Sequence, residues 1–561
     1  MGQLINSLKR NIKIVFIGIH ILLTFLFERM LFIFSWDNIS FRTTRPKNYC
    51  IGDKAEMLLT YGLSKLFAII IIVLLWNLIF ILISHRIDKK IVKIFIGIYL
   101  IGLIIGILLY PDSFGIEIDN YANYALAIRF LPTYWHSIYT GALYAGCLMV
   151  FPHPISIFLF QWSLLVVVVG YIYEEIGKIT NVEWVKIGCI LMFFTPGIYE
   201  IVFNPYRNNI YTILCLYYFS FLFFTYYKKE KYDLKNIISF ILLTAFLMVW
   251  RSEGLIIGIG GFLFFTLYCL KTEKKNVIST FLVFACSLIL INGIQGIGSK
   301  KYYGNDYMLI NTTGVIYNIL NDPNANLSYK GAEDDLTIMN EVVPLQVLKE
   351  SGIGGYRDYN YTVGNEDANQ TLTTDTQYKL YMKAYRRLVY YNFKDYFNHQ
   401  LSSMCNALNL NISPYTNVYA GTTYTKLNSF EYEQRDVGKI ELQQTLLTNK
   451  WNDNSLRVRI SGVISECLKY YQNSISMNMF LNLLSLLGIF SLFINGLLEL
   501  IKDKKYSSWT LWFSSIIILE LIALFAFMPE GRPYYLYPML FVSYLTLLFT
   551  LVEAYGGKCN A

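Results

Sequence analysis

Residues Val92–Tyr110 read VKIFIGIYLIGLIIGILLY, an apolar run in which Lys93 is the only charged side chain. An α-helix of this length is about 28 Å long and matches the roughly 30 Å hydrocarbon core of a bilayer. Comparable runs of roughly 15 to 25 residues recur along the chain, which is 55% hydrophobic and only 15% charged. The sequence therefore predicts an all-α polytopic membrane protein with about 12 transmembrane helices.

The predicted spans fall into a longer N-terminal group and a shorter C-terminal group. They are Ile12–Phe34, Leu66–Ser84, Val92–Tyr110, Ile155–Tyr173, Ile187–Phe203, Ile210–Tyr226, Ile237–Trp250, Leu255–Leu270, Val277–Ile291, Met477–Ile501, Trp509–Met528 and Tyr535–Val552. We therefore divide the chain into a transmembrane bundle over residues 1–294, a large extracytoplasmic insertion over 295–476, and helices over 477–561 that complete the bundle.

Positively charged residues indicate the orientation of these spans. Lysines and arginines precede the first span and follow every even-numbered span, as Lys89 and Lys90 follow the second and Lys228 and Lys229 the sixth. Short cytoplasmic loops retain such residues. The pattern predicts a multi-pass protein of the plasma membrane with cytoplasmic termini. It also accounts for the net charge of +8 without a nucleic-acid partner.

The insertion is long enough to form a small domain of its own. Its first part, Asn311–Gln370, is rich in Asn, Asp and Gly and is predicted to be loop-like. Thr374–Leu410 has helical apolar spacing, and Ser455–Tyr471 is predicted to be a second helix that leads into the tenth span. Cys405 and Cys467 both lie in this segment, where a disulfide is one alternative to two free thiols.

The stretch after the third span, Tyr110–Gly141, reads YPDSFGIEIDNYANYALAIRFLPTYWHSIYTG. It carries the carboxylates Asp112, Glu117 and Asp119 and then turns into aromatic sequence that is too polar to cross a bilayer. The segment NYANYALAIRF is predicted to form an interfacial helix ended by Pro132, which places Asp119 at the N-cap. We therefore expect residues 110–153 to form a reactive outer loop that lies on the membrane surface.

Four connections on the predicted outer face each carry an arginine, against the positive-inside trend. They are the loop with Arg129, NPYRNN with Arg207, WRSEG with Arg251, and PEGRPYYLYP with Arg532. Charges at this depth are costly to keep, and guanidinium groups bind phosphate oxygens in two-point geometry. The pattern predicts a site for a phosphate-bearing substrate at the outer headgroup level, with a carboxylate as general base.

Five short motifs carry a family resemblance. They are YP followed by IDNYANYALA, YWHS before a span, YRNNIY at the start of a span, WRSEGLI, and GRPYYLYP before the last helix. In this order and on one face, they resemble the membrane-embedded C-type glycosyltransferases, which have the GT-C fold. The resemblance covers most of the transmembrane part and little of the insertion. Here the reactive loop follows the third span, whereas in many members of that family it follows the first.

The resemblance implies a reaction and a set of partners. A sugar would move, with inversion, from an undecaprenyl-phosphate or related polyprenyl-phosphate donor to an extracytoplasmic acceptor, which would be a cell-surface polysaccharide or a lipid-linked glycan. It assigns the catalytic base to Asp119, with Asp112 and Glu117 as competitors that would otherwise contact substrate. The alternative for Asp119 is a helix cap alone.

The resemblance also suggests donor and substrate contacts. Arg251, Arg532 and Arg207 would bind the donor phosphate, although Arg251 could instead pair with Glu253. Trp135, His136 and Glu253 would contact the substrates, and the alternative for Trp135 and His136 is an interfacial aromatic belt.

No cofactor is implied with certainty. A divalent cation at Glu333, Asp334 and Asp335 is an alternative to a solvated acidic turn. Two other functions compete with the glycosyltransferase: a surface-polysaccharide polymerase of the 12-span type, and a 12-span transporter. A transporter would be expected to show two related halves, and the sequence shows none.

Overall fold

The computed structural model describes sixteen parts of the chain. They are residues 2–26, 54–83, 89–109, 137–151, 155–193, 202, 207–228, 234–251, 253–272, 276–299, 305–350, 374–408, 454–473, 475–503, 508–527 and 535–556. Within these parts the regular structure is entirely helical, with no β-strand. The predicted all-α fold is therefore confirmed for the described residues.

Most helices belong to one apolar bundle. In chain order they are α1 (Gly2–Leu26), α2 (Lys54–Ile83), α3 (Lys89–Leu109), α4 (Ile138–Val150), α5 (Ile155–Ile179), α6 (Glu183–Phe193), α7 (Arg207–Lys228), α8 (Leu234–Trp250), α9 (Gly254–Thr272) and α10 (Asn276–Ser299). The insertion contributes α11 (Asn305–Asn321), α12 (Ala332–Asn340), α13 (Leu345–Glu350), α14 (Asp375–Tyr391), α15 (Phe393–Ala407) and α16 (Ser455–Asn473). The chain then returns to the bundle with α17 (Ile475–Asp503), α18 (Trp509–Phe527) and α19 (Tyr537–Gly556).

Within the described parts of the chain, six helices contain segments that are long and apolar enough to cross a membrane. These segments are Leu58–Phe80, Val92–Leu109, Ile155–Ile179, Arg207–Lys228, Leu483–Lys502 and Trp509–Phe527. Shorter apolar segments lie in α1, α4, α8, α9, α10 and α19. A multi-pass membrane protein is thus supported by helix length and composition, while the total of about 12 spans remains a prediction.

Helix α4 lies within the predicted outer loop 110–153 and was not predicted as a helix of its own. It begins after Ser137, whose side chain accepts a hydrogen bond from the Tyr139 backbone N–H, and it is buried on nearly every face. At 13 residues, it is about 20 Å long and too short to cross the hydrocarbon core. A helix that is apolar on all sides is stable only inside a bundle, and α4 packs there against α2.

Close packing of α4 on α2 depends on Gly146. A Cβ at this position would lie 2.9 Å from the Phe67 Cβ and 2.9 Å from the Ser64 carbonyl oxygen. Small residues permit such backbone approach between helices in membranes. Gly146 therefore sets the distance between α4 and α2.

The insertion has a core of its own, and the prediction of a loop-like Asn311–Gln370 is wrong for the described residues up to 350. Helices α11 to α14 enclose apolar side chains that include Ile316, Met339 and Leu388. Within α11 the buried Leu309, Ile316 and Ile319 recur at helical spacing, and their burial favours a helix in spite of the Asn-rich composition. Within this core the Thr312 and Tyr381 hydroxyls share a hydrogen bond of 2.6 Å.

Asp335 is bound by protein groups. Its carboxylate forms an ion pair with Arg387, at 3.2 Å between Nε and Oδ2, and accepts a hydrogen bond of 3.0 Å from the Tyr329 hydroxyl. Glu333 and Asp334 lie with it in the first turn of α12, where negatively charged side chains interact favourably with the helix dipole. In the described part of the chain, no cluster of three His, Cys, Asp or Glu side chains suited to a metal ion is found.

The cysteines of the insertion do not form the alternative disulfide. Cys405 and Cys467 are both free thiols, and Cys467 is exposed. The sequence left both a disulfide and two free thiols open, and the structure contains two free thiols.

Candidate functional site

A buried ion pair lies in the connection between α8 and α9. Arg251 is only 6% exposed, and its guanidinium donates to the Glu253 carboxylate from Nε at 3.0 Å and from Nη2 at 2.6 Å. The chain turns sharply here, and the turn requires glycine at position 254. A Cβ on Gly254 would lie 2.0 Å from the Leu247 carbonyl oxygen. The sequence WRSEG thus holds both charged groups in one fixed geometry, and the predicted alternative pairing of Arg251 with Glu253 is confirmed.

Residues from distant connections surround Arg251. The rings of Tyr211, in the first turns of α7, and Tyr535, just before α19, both lie with their centroids 5.8 Å from the Arg251 guanidinium carbon. The Trp250 indole N–H donates to the Arg207 carbonyl at 3.1 Å. The motifs YRNNIY, WRSEG and GRPYYLYP therefore meet at one place, which we call the Arg251 end of the bundle.

The pKa of Glu253 reflects this setting. Burial alone would raise it, but the Arg251 charge, its hydrogen bonds and the more distant Arg207 charge lower it from the usual 4.5 to about 2. Glu253 is therefore a carboxylate at neutral pH. Its charge offsets the cost of burying the Arg251 guanidinium.

Several buried polar atoms at this end of the bundle have no hydrogen-bond partner among the residues that the structure describes. They are the Asn208 Oδ1 and Nδ2 atoms, the Arg207 Nε atom and the Glu520 Oε2 atom. Leaving such a group unsatisfied costs about 1–3 kcal/mol. A polar occupant that offers both donors and acceptors would remove this cost.

Asn208 and Tyr211 were not singled out from the sequence as site residues. They are spaced i, i+3 in YRNNIY, so they share a face of α7. Glu520 is 1% exposed in α18. The signal that could have linked it to this site was an acidic residue in an otherwise apolar span.

The remaining predicted site residues lie outside the described residues. They are Asp112, Glu117, Asp119, Trp135, His136 and Arg532. Of the other predicted groups, the structure brings Arg251 and Glu253 into direct contact and places Arg207 at the same end of the bundle.

The insertion reaches the start of the predicted reactive loop. Arg457 of α16 is buried and donates from Nη1 to the Leu108 carbonyl at 3.3 Å. Leu108 lies in the last turn of α3, where backbone carbonyls have no partner within the helix. Arg457 thus fixes the end of α3 just before residues 110–153 begin.

The opposite end of the bundle carries another group of charges. Glu175 of α5 forms an ion pair with Lys178 at 2.7 Å and also with Lys228 at the end of α7. The Trp509 indole donates to Glu553 at 2.6 Å, which places the start of α18 beside the end of α19. The lysine-rich end and the Arg251 end therefore lie at opposite ends of the helices.

Chemically, the Arg251 end combines the cationic Arg251 and Arg207, the carboxyl groups of Glu253 and Glu520, the Asn208 amide and aromatic rings in a buried setting. Such a site suits an anionic ligand that also bears hydroxyl groups. Comparison of the chain with protein-family models, curated proteins and solved structures returned no match.

Proposed function

We propose that this protein is a membrane glycosyltransferase of the C-type that moves a sugar from a polyprenyl-phosphate donor to an extracytoplasmic glycan. The observation that carries the proposal is the buried Arg251, held by Glu253 where three distant connections meet. The lysine distribution in the sequence supports an outward orientation for this end of the bundle. The acceptor is a cell-surface polysaccharide or a lipid-linked glycan.

The donor phosphate binds to the arginines. Arg251 is the central ligand, since Glu253 fixes the plane of its guanidinium. Arg207 adds a second cation near the pair, and Arg532 contributes a third from GRPYYLYP. Charged hydrogen bonds to phosphate strengthen as negative charge develops on the leaving group.

Asp119 acts as the general base on the acceptor. It takes the proton of an acceptor hydroxyl as that oxygen attacks the anomeric carbon of the sugar. The bond between the anomeric carbon and the phosphate oxygen breaks, and the lipid phosphate leaves with the electron pair. Because a single displacement occurs from the opposite face, the configuration at the anomeric carbon inverts.

Other groups position the substrates. Asn208 supplies a buried amide that can donate to and accept from sugar hydroxyls. Trp135 and His136 contact the donor or the acceptor. The insertion selects the acceptor, and the Arg457 contact with Leu108 supports this role because it joins the insertion to the start of the reactive loop.

The test is a donor titration on the purified protein in lipid nanodiscs. The ligand is a short-chain polyprenyl-phosphate sugar, and the variants are Arg251→Ala and Arg387→Ala. Both variants remove an arginine that pairs with a carboxylate, but Arg387 lies in α14 of the insertion, where its side chain is 42% exposed. We expect Arg251→Ala to weaken donor binding at least about tenfold, since a charged hydrogen bond contributes about 1.5–3 kcal/mol. Arg387→Ala should leave donor binding unchanged.

Arg251→Lys serves as a second variant that keeps the charge. It should bind donor more weakly than the wild type, because an ammonium group cannot form the two-point contact. Equal donor affinity in the wild type and in folded Arg251→Ala would remove the phosphate site. Consumption of a lipid pyrophosphate glycan, with no use of the monophosphate donor, would instead assign the protein to the polymerases.

A further inference from the structure

Helix α15 exposes its large apolar side chains and buries its polar ones. Phe393, Phe397 and Leu401 are 60%, 42% and 41% exposed, and their spacing of four residues aligns them in one stripe along the helix. The buried polar side chains of the same helix are Asp395, His399, Gln400, Ser402 and Ser403. On a helix bathed in water the opposite distribution is expected.

Polar contacts fix this orientation. The ring Nδ1 of His399 lies 2.6 Å from the Asn318 side-chain nitrogen in α11. Burial lowers the pKa of His399 to about 4, so the ring is neutral and suited to an internal hydrogen bond. The helix cannot roll to bury its apolar stripe without breaking this contact.

The stripe is continuous with the apolar surface of α18, which is a predicted span. The Tyr396 hydroxyl donates to the Ala526 carbonyl at 2.9 Å, and the Phe397 ring lies 5.5 Å from the Phe525 ring, both near the end of α18. On α18, the exposed Leu519 and Ile522 are spaced so that Ala526 continues their face. Leu519 and Ile522 are 56% and 59% exposed, so this part of the face is apolar and uncovered, as expected for contact with lipid.

We propose that α15 lies in the membrane interface and inserts Phe393, Phe397 and Leu401 into the boundary between headgroups and acyl chains. The partner is phospholipid of the leaflet at the Arg251 end. An exposed Lys394 stands beside Phe393 in this stripe and can reach the headgroup phosphates. The adjoining exposed face of α14 adds Lys379, Lys383, Arg386 and Tyr390, a basic and aromatic set that suits the same surface.

This inference is independent of the proposed enzyme activity, because it rests only on the polarity of α15 and on its contact with α18. It anchors the insertion directly to the bilayer through α15. The insertion would therefore remain attached to the membrane surface whether or not a substrate is bound.

The test is photolabelling of the wild-type protein in phosphatidylcholine nanodiscs that contain a phosphatidylcholine with a diazirine near the headgroup end of one acyl chain. Labelled peptides are located by mass spectrometry. We expect label on Phe393–Leu401 and on the α18 peptide with Leu519 and Ile522, and little on the α12 peptide with the exposed Thr337. Label on α18 without label on α15 would overturn the proposal. Crosslinks between two copies through α15 would also overturn it, because a second chain would then cover the stripe.

A double variant, Phe393→Glu with Phe397→Glu, tests the stripe directly. It should reduce the α15 label several-fold and leave the α18 label unchanged, which also reports an intact bundle. The matched control is Leu380→Glu, which changes an exposed apolar residue of α14 that lies outside the stripe and should leave the α15 label as in the wild type. Undiminished α15 labelling in the double variant would refute the assigned contact.

Discussion

Arg251 and Glu253 form a two-point ion pair, in which Nε and Nη2 of the guanidinium donate to separate carboxylate oxygens at 3.0 and 2.6 Å. Two parallel hydrogen bonds fix the plane of the guanidinium as well as its position. Burial of this pair means that removal of either partner leaves an uncompensated charge. The stability of this end of the bundle therefore depends on both side chains, and under the proposed function donor binding depends on them as well.

Glu253→Gln should lower the thermal stability of the protein at neutral pH. The folded-state pKa of Glu253 is about 2, below its usual 4.5, so its stabilising contribution is present above about pH 4.5 and is lost as the pH falls toward 2. The linkage corresponds to about 3 kcal/mol. Melting temperatures of the variant and the wild type, measured from pH 8 to pH 3, should differ by a constant amount down to about pH 5. Below about pH 5 the difference should become smaller. A difference independent of pH would contradict an ionised Glu253.

Asp119→Asn should abolish sugar transfer, because asparagine cannot accept the proton of the acceptor hydroxyl. Loss of a general base lowers the rate by about 100-fold to 10,000-fold. Transfer of a radiolabelled sugar from the polyprenyl-phosphate donor is the measurement, with thermal stability as the folding control. Asp112→Asn and Glu117→Gln are the matched variants and should retain most activity. Undiminished transfer by Asp119→Asn would place the base elsewhere.

Asp395→Asn should stabilise the protein above pH 6. Burial, together with a hydrogen bond to Asp322 and the Asp322 charge, raises the pKa of Asp395 from 3.8 to about 6. The folded state therefore binds the proton more tightly than the unfolded state, and stability declines as the pH rises from about 4 to 6 and stays low above it.

We expect the Asp395→Asn variant to gain about 3 kcal/mol at pH 8 and less than about 1 kcal/mol at pH 4. The control is Asp334→Asn, an exposed acid in the first turn of α12, where a change within about 0.5 kcal/mol is typical. Chemical denaturation at both pH values measures the effect. An equal gain at pH 4 would rule out ionisation as its cause.

Gly146→Ala should destabilise the bundle. The added Cβ meets the Ser64 backbone carbonyl and the Phe67 Cβ at 2.9 Å, and overpacking of this kind costs about 1–3 kcal/mol. Gly62→Ala is the control on the partner helix α2, since nothing lies within 4 Å of its Cβ position. That variant should be neutral or gain up to about 1 kcal/mol from helix propensity. Equal melting temperatures for the two variants would argue against close packing of α4 on α2.

Continuous apolar runs made the longest helices predictable. Trp509–Met528 was predicted as a span and α18 covers Trp509–Phe527. Helix α4 was missed because a window of about 19 residues averages its 13 residues with polar neighbours. Helix α11 was missed because Asn and Thr were given more weight than the helical spacing of Leu309, Ile316 and Ile319, which are all buried.

The candidate site was predictable where a motif placed a charge beside an apolar helix. The sequence singled out Arg251 and Glu253 on that basis, and their contact is local in the chain. Glu520 could not be joined to them from the sequence, because their proximity depends on how α18 packs against α9. Neutral residues such as Asn208 carry no charge signal at all, and only burial without a partner reveals them.

The hydrogen bond from Arg457 to the Leu108 carbonyl joins residues 349 positions apart. During synthesis α3 emerges long before α16, so this bond forms only after most of the chain has left the ribosome. Chains interrupted before residue 454 would insert α3 but leave its last turn without this partner. Quality-control proteases that recognise loosely held helix ends would therefore meet such fragments in a form that the finished protein does not present.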